Sequence, residues 1–230
     1  MRPATTRPVP PAGAPLQAVL FDMDGLLVDS EPLWFEVESQ VMAQLGGDWA
    51  EADQQALLGG SLPRTVSYLL ARAERPASAQ DVGRWLVDGM TALLASRGPR
   101  VLPGAADLLA EVRGAGISHA LVTSSERPIM DAVLRHLRLS FDATVCADDV
   151  RRGKPHPEPY QRGAALLGAD PRYCVALEDS PNGVAAAEAA GCQVVAVPSL
   201  VPIAGRPGRT VAASLSEVDL ATLRAIAAAA

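Results

Sequence analysis

Apolar residues are distributed along the chain in two rhythms. Residues 17–21 (QAVLF) form a short, unbroken apolar run that stops at an acidic turn, DMDG. A run of this length predicts a buried strand followed by a turn. From residue 31 to residue 98 the rhythm is helical. Apolar positions recur at helical spacing over 33–45, 63–74 and 81–97, with breaks at Gly46-Gly47, Gly59-Gly60 and Arg75-Pro76. No strand-like run interrupts them, so 31–98 is expected to be a compact helical unit. After Gly98-Pro99 helix and strand patterns alternate. Helices are predicted at 104–115, 127–137, 160–167, 181–190 and 216–228, and strands at 117–123, 143–146, 174–177 and 193–197. Alternation of this kind specifies an α/β fold, a doubly wound parallel sheet with helices on both faces. The first strand precedes the helical unit and the others come after it. Residues 16–30 and 99–230 would thus make one discontinuous core, with 31–98 inserted as an α-helical cap. The two connections, near Ser30 and near Gly98-Pro99, are short and favour hinge motion.

Composition narrows the function classes. The chain has 230 residues, 49% of them hydrophobic, enough for a substantial core. Only 4% are aromatic, so that core must lean on Ala, Val and Leu. The net charge is −6, without the basic face that nucleic-acid binding requires. No apolar run is long enough to span a membrane. The opening segment MRPATTRPVPPAGAP has no apolar signal core, and its prolines and small residues predict a disordered tail over 1–15. The cysteines Cys146, Cys174 and Cys192 are odd in number and fit neither a zinc site nor a redox pair. They read as reduced core residues of a cytoplasmic protein, expected to be a monomer or weak dimer.

In open α/β sheets ligands bind beyond the carboxyl ends of the strands. The polar residues there are Asp22 and Asp24, Thr123-Ser124-Ser125, Asp148-Asp149 with Lys154 in the loop beyond, and Glu178-Asp179. A carboxylate such as Asp22 can attack phosphorus and form an acyl phosphate. Repulsion between the two anions is the obstacle, and Mg²⁺ between Asp22 and the distant Asp179 would remove it. Asp24, two residues on, faces the same side in extended chain and could serve as general acid and base. Gly25 would allow the tight turn. Taken singly, each motif also has a plainer reading. Asp22 and Asp24 could be an Asp-rich turn. Thr123-Ser124-Ser125 could bind phosphate oxygens or only cap the next helix. Lys154 could neutralise a nucleophile and a phosphate or be a solvated loop lysine. Glu178-Asp179, two adjacent acids at a strand end, lean towards metal binding.

Taken together, the motifs resemble those of the haloacid dehalogenase (HAD) superfamily over nearly all of residues 17–198. FDMDGLLVDSEP is similar to its first motif, VTSS to its second, GKPHPEPY to its third and LEDSPNGVAAAEAAG to its fourth. The resemblance implies a Rossmann-like core and a role for each residue. Asp22 would be nucleophile and metal ligand, and Asp24 general acid/base with its backbone carbonyl on the metal. Thr123 and Lys154 would bind the transferring phosphoryl group, with backbone contacts from Ser124 and Ser125. Asp179 would be a metal ligand, and Glu178 would bind the metal directly or through water. The implied cofactor is Mg²⁺. The helical insertion resembles the cap of the subgroup holding phosphoglycolate phosphatase, sugar-phosphate phosphatases and β-phosphoglucomutase. The dehalogenases lack the second aspartate, so Asp24 argues against that reaction.

The leading expectation is a phosphatase acting on a small phosphorylated metabolite, a sugar phosphate first of all. The alternative enzyme is a sugar-phosphate mutase resembling β-phosphoglucomutase. A mutase would carry a histidine soon after the first motif and an arginine after the Gly-x-Ser of the cap, where Trp34 and Leu62 stand here. Arg64, near the start of a cap helix, could reach the substrate or be solvated. Trp34 and Trp49 read as cap core, and His156, between two prolines, as a structural loop residue. A third reading is a non-catalytic binding module, against which the complete set of acids argues.

Overall fold

The computed structural model describes residues 16–57 and 60–229. The expected tail at 1–15 therefore lies outside the described residues. Strand β1 (Ala18–Phe21) ends at Asp22, and a short strand β2 (Val28–Asp29) comes after the turn. Four helices come next: α1 (Glu31–Gln44), α2 (Glu51–Leu57), α3 (Leu62–Arg72) and α4 (Ala79–Ser96). After β3 (Arg100–Val101) the alternating part runs through α5 (Ala105–Gly114), β4 (Ser118–Val122), α6 (Arg127–Leu137) and β5 (Ala143–Val145). It continues with α7 (Glu158–Leu166), β6 (Cys174–Glu178), α8 (Pro181–Ala190), β7 (Gln193–Ala196), β8 (Arg209–Val211) and α9 (Leu220–Ala228).

Six strands form one parallel sheet in the order β5-β4-β1-β6-β7-β8. Strand β1 lies inside it, with Phe21 in register with Leu121 of β4 and Leu177 of β6. Each strand side chain points to the face opposite its neighbour's, and both faces of this sheet are covered. Val19 and Phe21 share one apolar cluster with Leu121, Val175 and Leu177. Ala18 and Leu20 share the other with Ala120, Val122 and Ala176, roofed by Tyr160 and Ala164 of α7 and by Val184, Ala186 and Ala187 of α8. The Ala-rich second face accords with the low aromatic content and lets α7 and α8 sit close to the strands.

Helix α8 starts and stops on local chemistry. The Ser180 hydroxyl accepts a hydrogen bond from the Gly183 N–H, Pro181 opens the helix, and Gly191 ends it at φ +96°. The four helices between β2 and β3 bury Leu33, Val37, Leu69, Leu86, Met90 and Leu94 among themselves and against the core.

Several elements differ from the sequence expectation. The last helix begins at Leu220, because Leu215–Glu217 form a separate 3-10 turn and Asp219 caps the helix after it. The two connections to the helical insertion are not loose. They pair as antiparallel β2 and β3, Val28 opposite Val101 and Asp29 opposite Arg100, and an Arg100–Asp29 ion pair of 2.7 Å closes the strap. Strand β8 and helix α2 add to the predicted set.

Candidate active site

The carboxyl ends of β1, β4 and β6 meet beneath the helical insertion, at a cleft that opens to solvent. The Asp22 N–H donates to the Leu177 carbonyl at 3.0 Å, which carries the β1–β6 ladder one residue further and fixes the Asp22 backbone. Gly25 makes the next turn possible. Its φ is +79°, and a Cβ there would stand 2.1 Å from Asp179 Oδ2. Only glycine satisfies both conditions, so this turn lets the loop after β6 approach the loop after β1.

One lysine joins three strand ends. Lys154 Nζ donates to Asp22 Oδ1 at 2.6 Å, to Glu178 Oε1 at 2.6 Å and to the Val122 carbonyl at 2.9 Å. Tyr160, fully buried in α7, donates its hydroxyl to the same Glu178 oxygen at 2.6 Å. The other Glu178 oxygen accepts from the Asp179 and Ser180 N–H groups and from the Ser180 hydroxyl. Glu178 has no solvent exposure, and a Cβ on Gly183 would stand 1.9 Å from its carboxylate, so α8 begins directly against it. Burial alone would lower the Lys154 pKa, but Asp22 and Glu178 outweigh it and hold the ammonium well above its ordinary value.

Three carboxylates, Asp22, Glu178 and Asp179, bring one oxygen each within 4.8 Å of one another. Burial first, then the charge of Glu178, pushes the Asp22 pKa well above the carboxylate range. The same causes raise Asp179 to about 7, although Ser199 donates to its Oδ2 at 2.6 Å. Clustered, desolvated carboxylate oxygens suit a hard divalent cation, which prefers oxygen donors. Asp24 is held differently. Ser30 donates to its Oδ1 at 2.6 Å, and Ser125 and Thr123 donate to its Oδ2 at 2.7 and 3.3 Å.

The cleft brings together Asp22, Asp24, Thr123, Ser124, Ser125, Lys154 and Asp179, with Glu178 behind Lys154. Arg64 is not among them. Its guanidinium instead donates to the Ala56 carbonyl of α2 at 2.6 Å, satisfying a helix end. Trp34 does more than pack, since it lines the cleft together with Leu62. Asp148 and Asp149 turn away from the cleft: Asp148 accepts from the Arg127 N–H at 2.6 Å and Asp149 pairs with the Arg127 guanidinium. His156 accepts from the Glu158 N–H at 3.1 Å, inside its loop. Sequence reasoning missed Ser30, Tyr160 and Ser199, which hydrogen-bond Asp24, Glu178 and Asp179, and Gly183, whose missing side chain leaves room for Glu178. Ser30 stands inside the first motif and Gly183 inside the fourth, and both could have been found there. Nothing local marks Ser199, which lies twenty residues past its partner.

Comparison with known proteins places this geometry among relatives. The family model described as haloacid dehalogenase-like hydrolase matches residues 16–191. Hexitol phosphatase B of Escherichia coli K12 is 38% identical over 215 residues, covering 92% of this chain and 94% of that protein. A phosphorylated carbohydrates phosphatase of Thermotoga maritima is 32% identical over 180 residues, covering 77% and 83%. The crystal structure of CbbY from Rhodobacter sphaeroides in complex with phosphate superposes with a TM-score of 0.82 at 31% identity, covering 90% of this chain and 99% of that one. With the motifs in order, the sheet order and the matched span in agreement, the chain belongs to the haloacid dehalogenase-like hydrolase family.

Proposed function

We propose that this enzyme is a Mg²⁺-dependent phosphatase of a small polyol or sugar monophosphate, working through an aspartyl-phosphate on Asp22. The observation that carries the reading is Lys154, which binds Asp22 and Glu178 at 2.6 Å each beside Asp179. It sets one cation against a nucleophile at a strand end, where a second cation would also fit.

Asp22 would attack phosphorus through one carboxylate oxygen as the phosphorus–oxygen bond to the leaving alcohol breaks. That alcohol would take its proton from Asp24. In the second half, water would attack phosphorus and give its proton to Asp24, and the bond to Asp22 would break to release inorganic phosphate. Bound by Asp22, Asp179 and the Asp24 carbonyl, Mg²⁺ would offset the negative charge shared by nucleophile and phosphate. Lys154 and the Thr123–Ser125 loop would hold the phosphoryl oxygens. Glu178 is read as the residue that positions Lys154, since both its oxygens already accept hydrogen bonds. The helical insertion is read as a cap over the reaction.

The names of the relatives support the substrate class. Trp34 and Leu62 in the cleft support hydrolysis over isomerisation, since neither can grip a sugar intermediate by charge. Three free buried cysteines support a reducing, cytoplasmic setting. Among the described residues no helix is long and apolar enough to cross a membrane.

The test is a panel of phosphate monoesters with Mg²⁺ and with excess chelator. Phosphate should appear in step with loss of a hexitol or hexose phosphate, and chelation should abolish it. Turnover that survives full chelation, or isomerised sugar phosphate without free phosphate, would contradict the proposal.

A further inference from the structure

Helix α1 presents Glu31, Trp34 and Glu38 to the cleft, at positions i, i+3 and i+7 of one face. The two acids are satisfied differently. Gln54 of α2 donates its amide to Glu31 Oε2 at 3.0 Å and to the Glu31 carbonyl at 2.9 Å. Glu38 is only 4% exposed, and its Oε2 has no hydrogen-bond partner among the described residues. A buried oxygen left without a partner costs stability in the free enzyme. Such a cost is retained where a ligand supplies the missing partner.

The charges around Glu38 restrict that ligand. Among the described residues lining the cleft, Lys154 is the only cation, and Asp22 and Glu178 already engage it. The acids lining the cleft are Asp22, Asp24, Asp179, Glu31, Glu38 and Glu126. Lys154 and a metal would serve one phosphate, which leaves no cation for a second anionic group. We propose that Glu38 receives a hydroxyl of the organic half of the substrate, and that this acidic cleft selects monophosphates of neutral polyhydroxylic chains over bisphosphates and phosphorylated acids. The inference rests on the phosphatase reading and adds the residue that recognises the substrate. Burial, and then Glu31, push the Glu38 carboxyl up to about 8, so near neutral pH it can both donate to and accept from a hydroxyl. Trp34, between the two acids on the helix, gives the carbon chain an apolar wall.

The experiment compares kcat/KM for sorbitol 6-phosphate with kcat/KM for p-nitrophenyl phosphate, whose ring offers no hydroxyl. The wild type is set beside Glu38→Leu and Glu38→Gln. In Glu38→Leu the ratio should fall by about ten- to a hundredfold, the factor carried by a hydrogen bond to a charged or strongly polar group. Glu38→Gln keeps a donor and an acceptor and should fall less. Glu38→Leu should melt no lower than the wild type, because it removes the unpartnered oxygen. A purely structural glutamate would give the reverse, with a lower melting temperature and an unchanged ratio. If Glu38→Leu does not fold, Glu38→Gln decides alone, with a reduced ratio expected. A ratio unchanged within about twofold in the folded variants overturns the inference and leaves the phosphatase reading standing. A wild type that releases phosphate from neither compound overturns the phosphatase reading itself.

Discussion

Lys154 makes three hydrogen bonds to oxygens that have almost no access to water, and two of those oxygens belong to carboxylates. Its charge offsets those of Asp22 and Glu178, and Tyr160 is a second donor to the same Glu178 oxygen. Replacement by an apolar side chain leaves two buried acids uncompensated and, on the proposed mechanism, removes the cation that would face the phosphoryl group. Lys154→Met should therefore lower kcat by about a hundred- to a thousandfold while far-ultraviolet circular dichroism stays native-like. A variant that keeps near-normal turnover would remove Lys154 from the reaction. Most of this constellation was legible in the sequence because acids and a lysine at successive strand ends have few other uses. The residues around it were less so. Tyr160 reads as an ordinary core aromatic, and its polar tip gains meaning only once α7 lies across the sheet. Arg64 lay within reach of the insertion's inner face by position, but the orphan carbonyl at Ala56 claims it.

At the scale of elements, the periodic segments matched closely, and helices 127–137 and 181–190 stand at the expected bounds. Strand β8 escaped because its three residues, Arg209–Val211, carry no apolar alternation. Helix α2 escaped because its seven residues bury only Leu57. The β2–β3 strap escaped because strands of two residues have no period, and only the return of the chain after residue 98 brings them together. The turn after β1 makes the most direct element-level prediction. Gly25→Ala would place a methyl group 2.1 Å from the present Asp179 Oδ2, in a backbone conformation that disfavours L-residues. Asp179 must move, and the half-saturating Mg²⁺ concentration should rise by about tenfold or more, as for displaced supports of metal ligands. An unchanged Mg²⁺ activation curve would show that the loop after β6 does not hold the metal.

The whole molecule concentrates negative charge where the sheet meets the helical insertion. Glu31 is raised to about 7, Glu126 to about 7 and Asp179 to about 7, each chiefly by burial. A group whose folded pKa is raised gives stability that is fully present below its unfolded value and is lost as pH rises through the folded value. Here that window runs from the ordinary carboxylate value of 3.8 for Asp179 to about 7. In chelator the melting temperature should fall as pH rises through this window. Added Mg²⁺ should raise it more at about pH 8 than at about pH 5, because the cation takes the place of the protons. A Mg²⁺ shift that is equal at both would place the cation elsewhere. On the proposed mechanism these pieces serve one event, the transfer of a phosphoryl group to Asp22. An acyl phosphate is reduced by borohydride, which would convert Asp22 to homoserine, and mass spectrometry of the quenched enzyme reads that change directly. The expected result is conversion at Asp22 that requires both Mg²⁺ and substrate and is absent in Asp22→Asn. Turnover under the same quench with Asp22 unmodified, or with the phosphoryl group on another residue, would contradict it.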